Sequence, residues 1–323
     1  MAMDGSSLKA AAAQANAVVK TDGQQKALTP QDKVKVMLNQ RIKEFAAALP
    51  KGWDEKRFIR IALTSISTNP KLAQACVLSP ASFLGGMMTA AQLGLEPNTP
   101  MGKAYLLPYN NIDKNTGKKI PMVQFQIGVY GYIDLAYRSG LVKSISAEIR
   151  YQKDFWEYEK GLNPKLRHIP YDEGDPGEAI GYYAVIRMKD TVNPDGSVSE
   201  GAVCTAYMSK YRVMEHAKRF SKSYNRKTGT FSGPWATDFD SMARKTVLLQ
   251  ALKFAPKATE DANFANAFKL DNTIRDGVGL DATTTKTEGI FPEGQASAAP
   301  YANDNDDESE EPEVIDAETE SAE

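Results

Sequence analysis

The spacing of hydrophobic residues changes twice along the chain, and this restricts the possible fold more than any other feature. Apolar side chains recur at helical spacing over residues 29–49, 54–69 and 79–94, starting from the helix-initiating sequence Thr29-Pro30-Gln31-Asp32. Further on, apolar and polar residues alternate as in half-buried strands, over residues 123–129, 145–151, 180–190 and 201–208. Helical spacing returns over residues 209–220, 236–254 and 259–269. The pattern predicts an α+β fold, with N-terminal helices and an antiparallel β-hairpin sheet packed with helices.

Charge is divided unevenly between a basic body and an acidic end. Of the 41 acidic residues, 13 lie in residues 287–323, which contain no Lys or Arg. Residues 1–286 therefore carry 39 basic and 28 acidic residues, a net charge of +11. A basic body favours a polyanionic partner. We predict a disordered arm over residues 1–28, a folded domain over residues 29–270 and an acidic disordered tail over residues 271–323.

Several functional classes are disfavoured by the residues present. The two cysteines, Cys76 and Cys204, and the two histidines lie at no zinc-ligand spacing, so we expect no metal site. The sequences Gly102-Lys103-Ala104 and Gly117-Lys118-Lys119 lack the hydroxyl residue of a phosphate loop, which argues against ATP hydrolysis. No stretch approaches the roughly 20 apolar residues that cross a bilayer, so we expect no membrane contact.

The region from Ser209 to Trp235 combines positive charge with aromatic rings. It holds seven basic residues against the single acid Glu215, interleaved with Tyr211, Phe220, Tyr224, Phe231 and Trp235. Cations for phosphates and aromatic faces for unstacked bases are typical of single-stranded nucleic-acid binding. We interpret residues 221–233 as a flexible basic loop. On charge alone, the candidate contacts are Lys210, Arg212, Lys222 and Lys227.

Five segments resemble the RecT family of phage single-strand DNA annealing proteins. They are ALP at 48–50, RFIRIALTSI at 57–66, AAQLGLEPNTPMGKAYLLPYN at 90–110, QIGVYGYIDLAYRSG at 126–140 and GPWATDFDSMARKT at 233–246. The resemblance implies a single-strand annealing protein core over the folded domain. It also implies that the protein is not an enzyme and works without ATP or another cofactor, with magnesium at most modulating annealing.

The resemblance also supplies candidate DNA-binding residues. These are Lys103, Tyr105, Gln126, Arg138, Trp235, Arg244 and Lys245. Whether Trp235 stacks on DNA or packs in the core stays open. Some relatives have arginine where this chain has Tyr130, and others near Leu249 and Gln250, so these positions are not carried over.

The partners implied are single-stranded DNA, the annealed duplex and further copies of the chain in a ring or helical filament, in the bacterial host cytoplasm. A partner exonuclease and the host single-stranded-DNA-binding protein are expected to dock on the acidic tail, where Val314 and Ile315 are the apolar residues suited to a contact. Two other roles of the tail stay open, inhibition of DNA binding and a contribution to solubility alone. Two other functions remain open, a passive single-strand-binding protein and a metal-dependent nuclease using Asp154, Glu157, Glu159, Asp238 or Asp240.

Overall fold

The structure is a computed structural model that describes residues 28–112, 117–221, 223–256, 262–271, 273–275, 277–278 and 284–286. Apart from Leu28, the predicted N-terminal arm lies outside the described residues. The acidic residues from 287 onward lie outside them as well.

Five helices open the fold, whereas the hydrophobic spacing predicts three, because the first predicted helix divides at Arg41 and the helix over Pro70–Leu78 has no counterpart in the prediction. They are α1 (Pro30–Gln40), α2 (Ile42–Ala48), α3 (Glu55–Thr68), α4 (Pro70–Leu78) and α5 (Pro80–Leu93). Thr29 caps α1 by accepting a hydrogen bond from the Asp32 amide, and the Asp32 carboxylate accepts one from the Thr29 amide in return. Helix α5 is buried along almost its whole length and ends at Gly94, whose φ of 59° is left-handed.

A first sheet lies against α5. Strands β1 (Ala104–Ile112) and β2 (Lys119–Ile127) form an antiparallel hairpin in which Ala104 faces Ile127 and Ile112 faces Lys119. Their buried residues, Leu106, Val123 and Phe125 among them, form one core with α4 and α5. Helix α6 (Val129–Arg138) begins directly after β2.

A second sheet follows, with strand order β3-β6-β9. Its strands are β3 (Val142–Tyr151), β6 (Ala179–Met188) and β9 (Val203–Ser209), all antiparallel. Two hairpins extend from it, β4 (Phe155–Glu159) with β5 (Lys165–Ile169), and β7 (Thr191–Val192) with β8 (Val198–Ser199). These strands confirm the antiparallel part of the predicted α+β fold.

The next elements follow β9 along the chain, and the two longest of them pack against the second sheet. They are α7 (Lys210–Phe220), the short hairpin β10 (Tyr224–Asn225) with β11 (Thr230–Phe231), α8 (Pro234–Thr237) and α9 (Phe239–Phe254). Helix α9 runs beneath all three strands of the second sheet and buries Met242, Val247, Leu248 and Leu252. It joins the second sheet to the helices of the first.

The last described elements return to the first sheet. Helix α10 (Ala262–Leu270) leads into β12 (Thr273–Arg275), which pairs with β2 at Phe125 and with β13 (Thr284–Lys286). Asp271, Thr273 and Arg275 are buried. The hydrophobic pattern predicts a folded domain that ends at residue 270, whereas these buried residues continue the core beyond it. Hydrophobic spacing cannot reveal a three-residue strand.

Within the described residues, no single helix has the length and apolar character to cross a membrane. Helices α4 and α5, which are bent by 110° relative to each other, meet that test only as a pair.

Candidate nucleic-acid interface

Three charged residues from two sequence motifs meet beside α6. Asp134 Oδ1 lies 3.0 Å from Lys103 Nζ, and Asp134 Oδ2 lies 3.0 Å from an Arg138 guanidinium nitrogen. We call these residues the Lys103–Asp134–Arg138 cluster. Their side chains are 26%, 27% and 33% exposed, so the cluster is partly accessible to solvent, and its one carboxylate neutralises only one of its two positive charges. The cluster has the net positive charge that a phosphate contact requires.

Glycines set the position of this cluster. Gly128 and Gly131 lie against the backbone of Gly102 and Lys103, and a Cβ at either glycine would collide with a carbonyl oxygen there. The Gly128 amide donates to the Lys103 carbonyl oxygen at 2.9 Å. Only residues without a side chain allow this approach. The glycines in the segment 126–140 therefore bring β1 onto α6 and Lys103 onto Asp134.

Arg138 also has a structural role that the sequence did not reveal. Its guanidinium donates to the Leu93 carbonyl oxygen at 2.9 Å and to the Gly94 carbonyl oxygen at 3.3 Å. These are orphan acceptors at the C-terminus of α5, and a cation there complements the helix dipole. Arg138 is thus placed in the cluster and also caps α5.

Tyr105 and Tyr130 lie next to the cluster. Both rings approach Gly102, and Tyr130 is 62% exposed. An exposed aromatic ring beside two cations is the arrangement that stacks an unpaired base. Relatives differ at Tyr130, so the motifs do not carry it over as a DNA contact, and its exposure is a signal that only the structure provides.

Gln126 is placed differently. It faces Tyr105 across the β1–β2 ladder but is only 3% exposed. Gln126 alternates along β2 with the core residues Phe125 and Ile127, so its side chain lies on the opposite face of the sheet, and it is nevertheless buried there. This burial prevents Gln126 from contacting DNA in the structure described. The loop before β1 is held in place by Asn98, whose side-chain oxygen accepts a hydrogen bond from the Leu106 amide and whose side-chain nitrogen donates one to the Leu106 carbonyl oxygen.

The basic segment after α7 is a short β-hairpin, where the sequence analysis expected a flexible loop. Tyr224 pairs with Phe231 and Asn225 with Thr230, and Asn225 Oδ1 accepts from the amide of Lys227 at 2.9 Å. Arg226 and Lys227 are exposed at its turn. Lys222, another predicted contact, lies outside the described residues. We call residues 223–232 the basic hairpin.

A row of aromatic rings joins the basic hairpin to the core. Neighbouring ring centroids are 4.8 Å apart for Tyr224–Phe231, 5.9 Å for Phe231–Trp235 and 5.4 Å for Trp235–Phe239. Phe239 then contacts Tyr182, whose hydroxyl donates to Asp240. Trp235 is 5% exposed and therefore packs in the core. It anchors the basic hairpin from below, and this position excludes it from stacking on DNA in the structure described.

The adjacent residues Arg244 and Lys245 on α9 have separate environments. Arg244 donates to Ser241 Oγ at 3.3 Å and its charge helps to lower the pKa of Asp238, after the hydrogen bonds from Ser241. Burial lowers the pKa of Lys245 to about 8, while the negative charge of Asp271 raises it. Burial of Lys245 and the nearby negative charge of Asp271 make it a weaker candidate for a phosphate contact than Arg244.

Helix α7 presents Arg212 and Tyr211 to the solvent, and Tyr211 is 73% exposed. Lys210 Nζ is 3.8 Å from Glu178, both near the surface, where such an ion pair contributes little. These side chains add to the positive surface next to the basic hairpin, since α7 leads directly into it.

The carboxylates considered for nuclease chemistry do not converge. Asp154 bonds His168 at 2.9 Å and accepts from the amides of Tyr151 and Tyr171, while Asp238 caps α9. Burial raises the pKa of Asp154, but these amides and His168 lower it by more, so the pKa is below its ordinary value. In the part of the chain that the structure describes, no three His, Cys, Asp or Glu residues are grouped to hold a metal.

Comparisons with known proteins agree with the motifs. The family model described as the RecT family matches residues 56–284. The protein RecT of Escherichia coli (strain K12) is 36% identical over 217 residues, which cover 67% of this chain and 72% of that protein. The uncharacterized protein YqaK of Bacillus subtilis (strain 168) is 33% identical over 175 residues, 54% of this chain and 50% of that protein. The resemblance seen in the motifs is therefore confirmed.

Proposed function

The chain belongs to the RecT family, and we propose that it binds single-stranded DNA and anneals complementary strands in homologous recombination, without ATP. The observation that carries this proposal is the Lys103–Asp134–Arg138 cluster, in which two matching motifs form one exposed cationic site beside Tyr130. The basic hairpin supplies a second cationic surface on a rigid support.

Annealing needs no input of free energy, because a duplex is more stable than its separated strands. What limits the rate is the search for register and the accessibility of bases. In our proposal, Lys103, Arg138, Arg226 and Lys227 hold phosphates while Tyr130 and Tyr211 stack bases. A strand held with its bases exposed lets an incoming strand test its register. The protein acts by binding and positioning, and no residue performs a covalent step.

Self-assembly belongs to the same proposal. Several copies along one strand multiply weak contacts, so that each copy binds loosely while the array holds firmly. A partner exonuclease and a single-stranded-DNA-binding protein are proposed to dock on the acidic tail. Deleting residues 287–323 should then abolish their pull-down and leave DNA affinity unchanged, whereas tighter DNA binding at low salt would show that the tail inhibits.

The test uses two complementary oligonucleotides labelled for energy transfer. Annealing should proceed equally with ATP, without ATP and with EDTA, and the strands should stay intact. A strict ATP requirement would refute the proposal, cleavage in magnesium would favour a nuclease, and binding without faster annealing would leave a passive binding protein.

The basic hairpin gives a more specific test. Arg226→Ala with Lys227→Ala should reduce the slope of log affinity against log salt by about 1.4, since each lost phosphate contact on a single strand contributes about 0.7. Lys43→Ala with Lys189→Ala, two exposed lysines on other elements, is the matched control and should leave the slope nearly unchanged.

A further inference from the structure

Two hairpins carry large apolar side chains into the solvent. The first comprises residues 155–169, strands β4 and β5 with their turn, and we call it the β4–β5 arm. Leu162 at its tip is 101% exposed. The second is β7–β8, where Val192 and Val198 are also exposed. Single exposed apolar residues are common on proteins, so exposure alone assigns no partner. Anchoring and charge distinguish the two hairpins.

The β4–β5 arm is held firmly at its base. The Trp156 ring centroid lies 5.1 Å from those of Tyr183 and Tyr207 on the second sheet, and Tyr158 lies 5.2 Å from Tyr207. His168 on the opposite strand bonds the Tyr183 hydroxyl at 2.9 Å. These contacts use the inward face of the arm. Residues 159–165, which include the tip, are all exposed.

The charge around the apolar residues differs between the hairpins. Residues 160–165 carry Lys160 and Lys165 and no acid, and Arg167 follows on β5. Glu157 and Glu159 lie behind the tip on β4, and Lys165 Nζ is 4.0 Å from Glu157. Residues 190–200 around β7–β8 carry three acids and no basic residue.

The acids beside β7–β8 are stabilised as anions. A hydrogen bond from Lys143 lowers the pKa of Asp190, and hydrogen bonds from Ser197 lower that of Asp195. Lys143 Nζ, 2.8 Å from Asp190, and the neighbouring Lys189 offset part of this charge, so the surroundings of β7–β8 are weakly negative. The tip of the β4–β5 arm is positive, and a polyanion is therefore attracted to it more than to β7–β8.

We propose that Leu162 is a wedge, which the β4–β5 arm inserts between neighbouring bases of the bound DNA while Lys160 and Lys165 contact the flanking phosphates. Apolar side chains on architectural DNA-binding proteins unstack base steps in this way. The wedge rests on the proposed DNA binding and specifies how bases are kept unstacked and open to pairing. Leucine offers no hydrogen bond to a base, so the contact is independent of sequence, as annealing of any strand requires.

The experiment uses a single-stranded oligonucleotide containing 2-aminopurine, an adenine analogue whose fluorescence rises on unstacking. Wild-type protein should raise this fluorescence. Leu162→Ser should remove most of the rise and weaken binding about 5- to 20-fold, with an unchanged salt slope because no charge is lost. Lys160→Ala with Lys165→Ala should instead reduce the salt slope by about 1.4.

Val198→Ser on β7–β8 is the matched control, since it removes another exposed apolar residue from a hairpin with acidic surroundings. It should behave as wild type. If Leu162→Ser gives the same fluorescence and affinity as the wild type, the proposed role of Leu162 as a wedge is wrong, while the proposed DNA binding is unaffected. If Leu162→Ser changes only the sedimentation of DNA-free protein, the tip contacts another copy, and the wedge is overturned. If wild type binds no DNA, the proposed function itself fails and the wedge with it.

Discussion

Asp271 Oδ1 accepts a 2.7 Å hydrogen bond from the backbone amide of Ile127, across 144 positions of sequence. Its second oxygen accepts a hydrogen bond from the Tyr132 hydroxyl at 3.1 Å, and its negative charge raises the pKa of Lys245. One buried carboxylate therefore joins the end of α10 to the junction of β2 and α6. That junction also positions Lys103 against Asp134, so the C-terminal segment supports the candidate site from below.

Replacing Asp271 should destabilise the fold strongly. Asp271→Ala removes both acceptors and leaves the desolvated ammonium of Lys245 without its compensating charge, so we expect a loss of about 3–5 kcal/mol in the free energy of unfolding. Urea denaturation measures this loss. Asp172→Ala, at an exposed position, is the control and should cost less than about 0.5 kcal/mol. A similarly small loss for Asp271→Ala would show that the carboxylate is dispensable.

Lys245 should make stability depend on pH in the alkaline range. Its pKa is lowered to about 8 by burial in the folded protein, from the ordinary value of 10.5 that applies to the unfolded chain. Between these values the unfolded state binds more protons, so stability contributed by this residue increases as pH rises. Relative to Lys245→Gln, the free energy of unfolding of the wild type should increase by about 1–3 kcal/mol between pH 8 and 10.5, after allowance for solvent screening. A constant difference between the two proteins across this range would contradict the assignment.

Gly131→Ala should separate β1 from α6. The new methyl group would collide with the Lys103 carbonyl oxygen, so the backbone must move and the Lys103–Asp134 ion pair must loosen. We expect a loss of stability of several kcal/mol, at least about 2, together with weaker DNA binding. Gly117→Ala is the comparison, since its φ of 67° is left-handed but no atom lies within 4 Å of the added Cβ. It should cost only about 1–2 kcal/mol and leave binding intact.

Alanine substitutions at Trp235 and Tyr130 should have opposite effects on stability and on DNA binding. Trp235→Ala empties a buried site and should lower the free energy of unfolding by about 3–5 kcal/mol. Tyr130→Ala removes an exposed ring and should leave stability within about 0.5 kcal/mol, while single-strand binding weakens by about 1–3 kcal/mol. Urea titrations and fluorescence anisotropy with one oligonucleotide separate the two effects. If Trp235→Ala weakens binding without loss of stability, the ring faces DNA after all.

The order and type of the main elements could be predicted because their signals are local. The capping sequence at Thr29, the left-handed end of α5 at Gly94 and the alternation through Val123 and Phe125 act within a few residues. Such patterns report which face of a helix or strand is apolar. The family motifs likewise identified Lys103 and Arg138, which the structure brings together through Asp134.

The sequence by itself therefore determined the α+β character, the basic body and the family to which the chain belongs. Tertiary structure decided whether each candidate side chain faces solvent or core. Trp235 and Gln126 are buried, Arg138 also caps α5, and the pKa of Lys245 is lowered by burial and raised by the charge of Asp271. The tertiary structure also placed Thr273–Arg275 in the first sheet, where the sequence shows no periodicity. The physical reason is that exposure and charge pairing depend on residues that folding brings together from distant positions, such as Ile127 and Asp271.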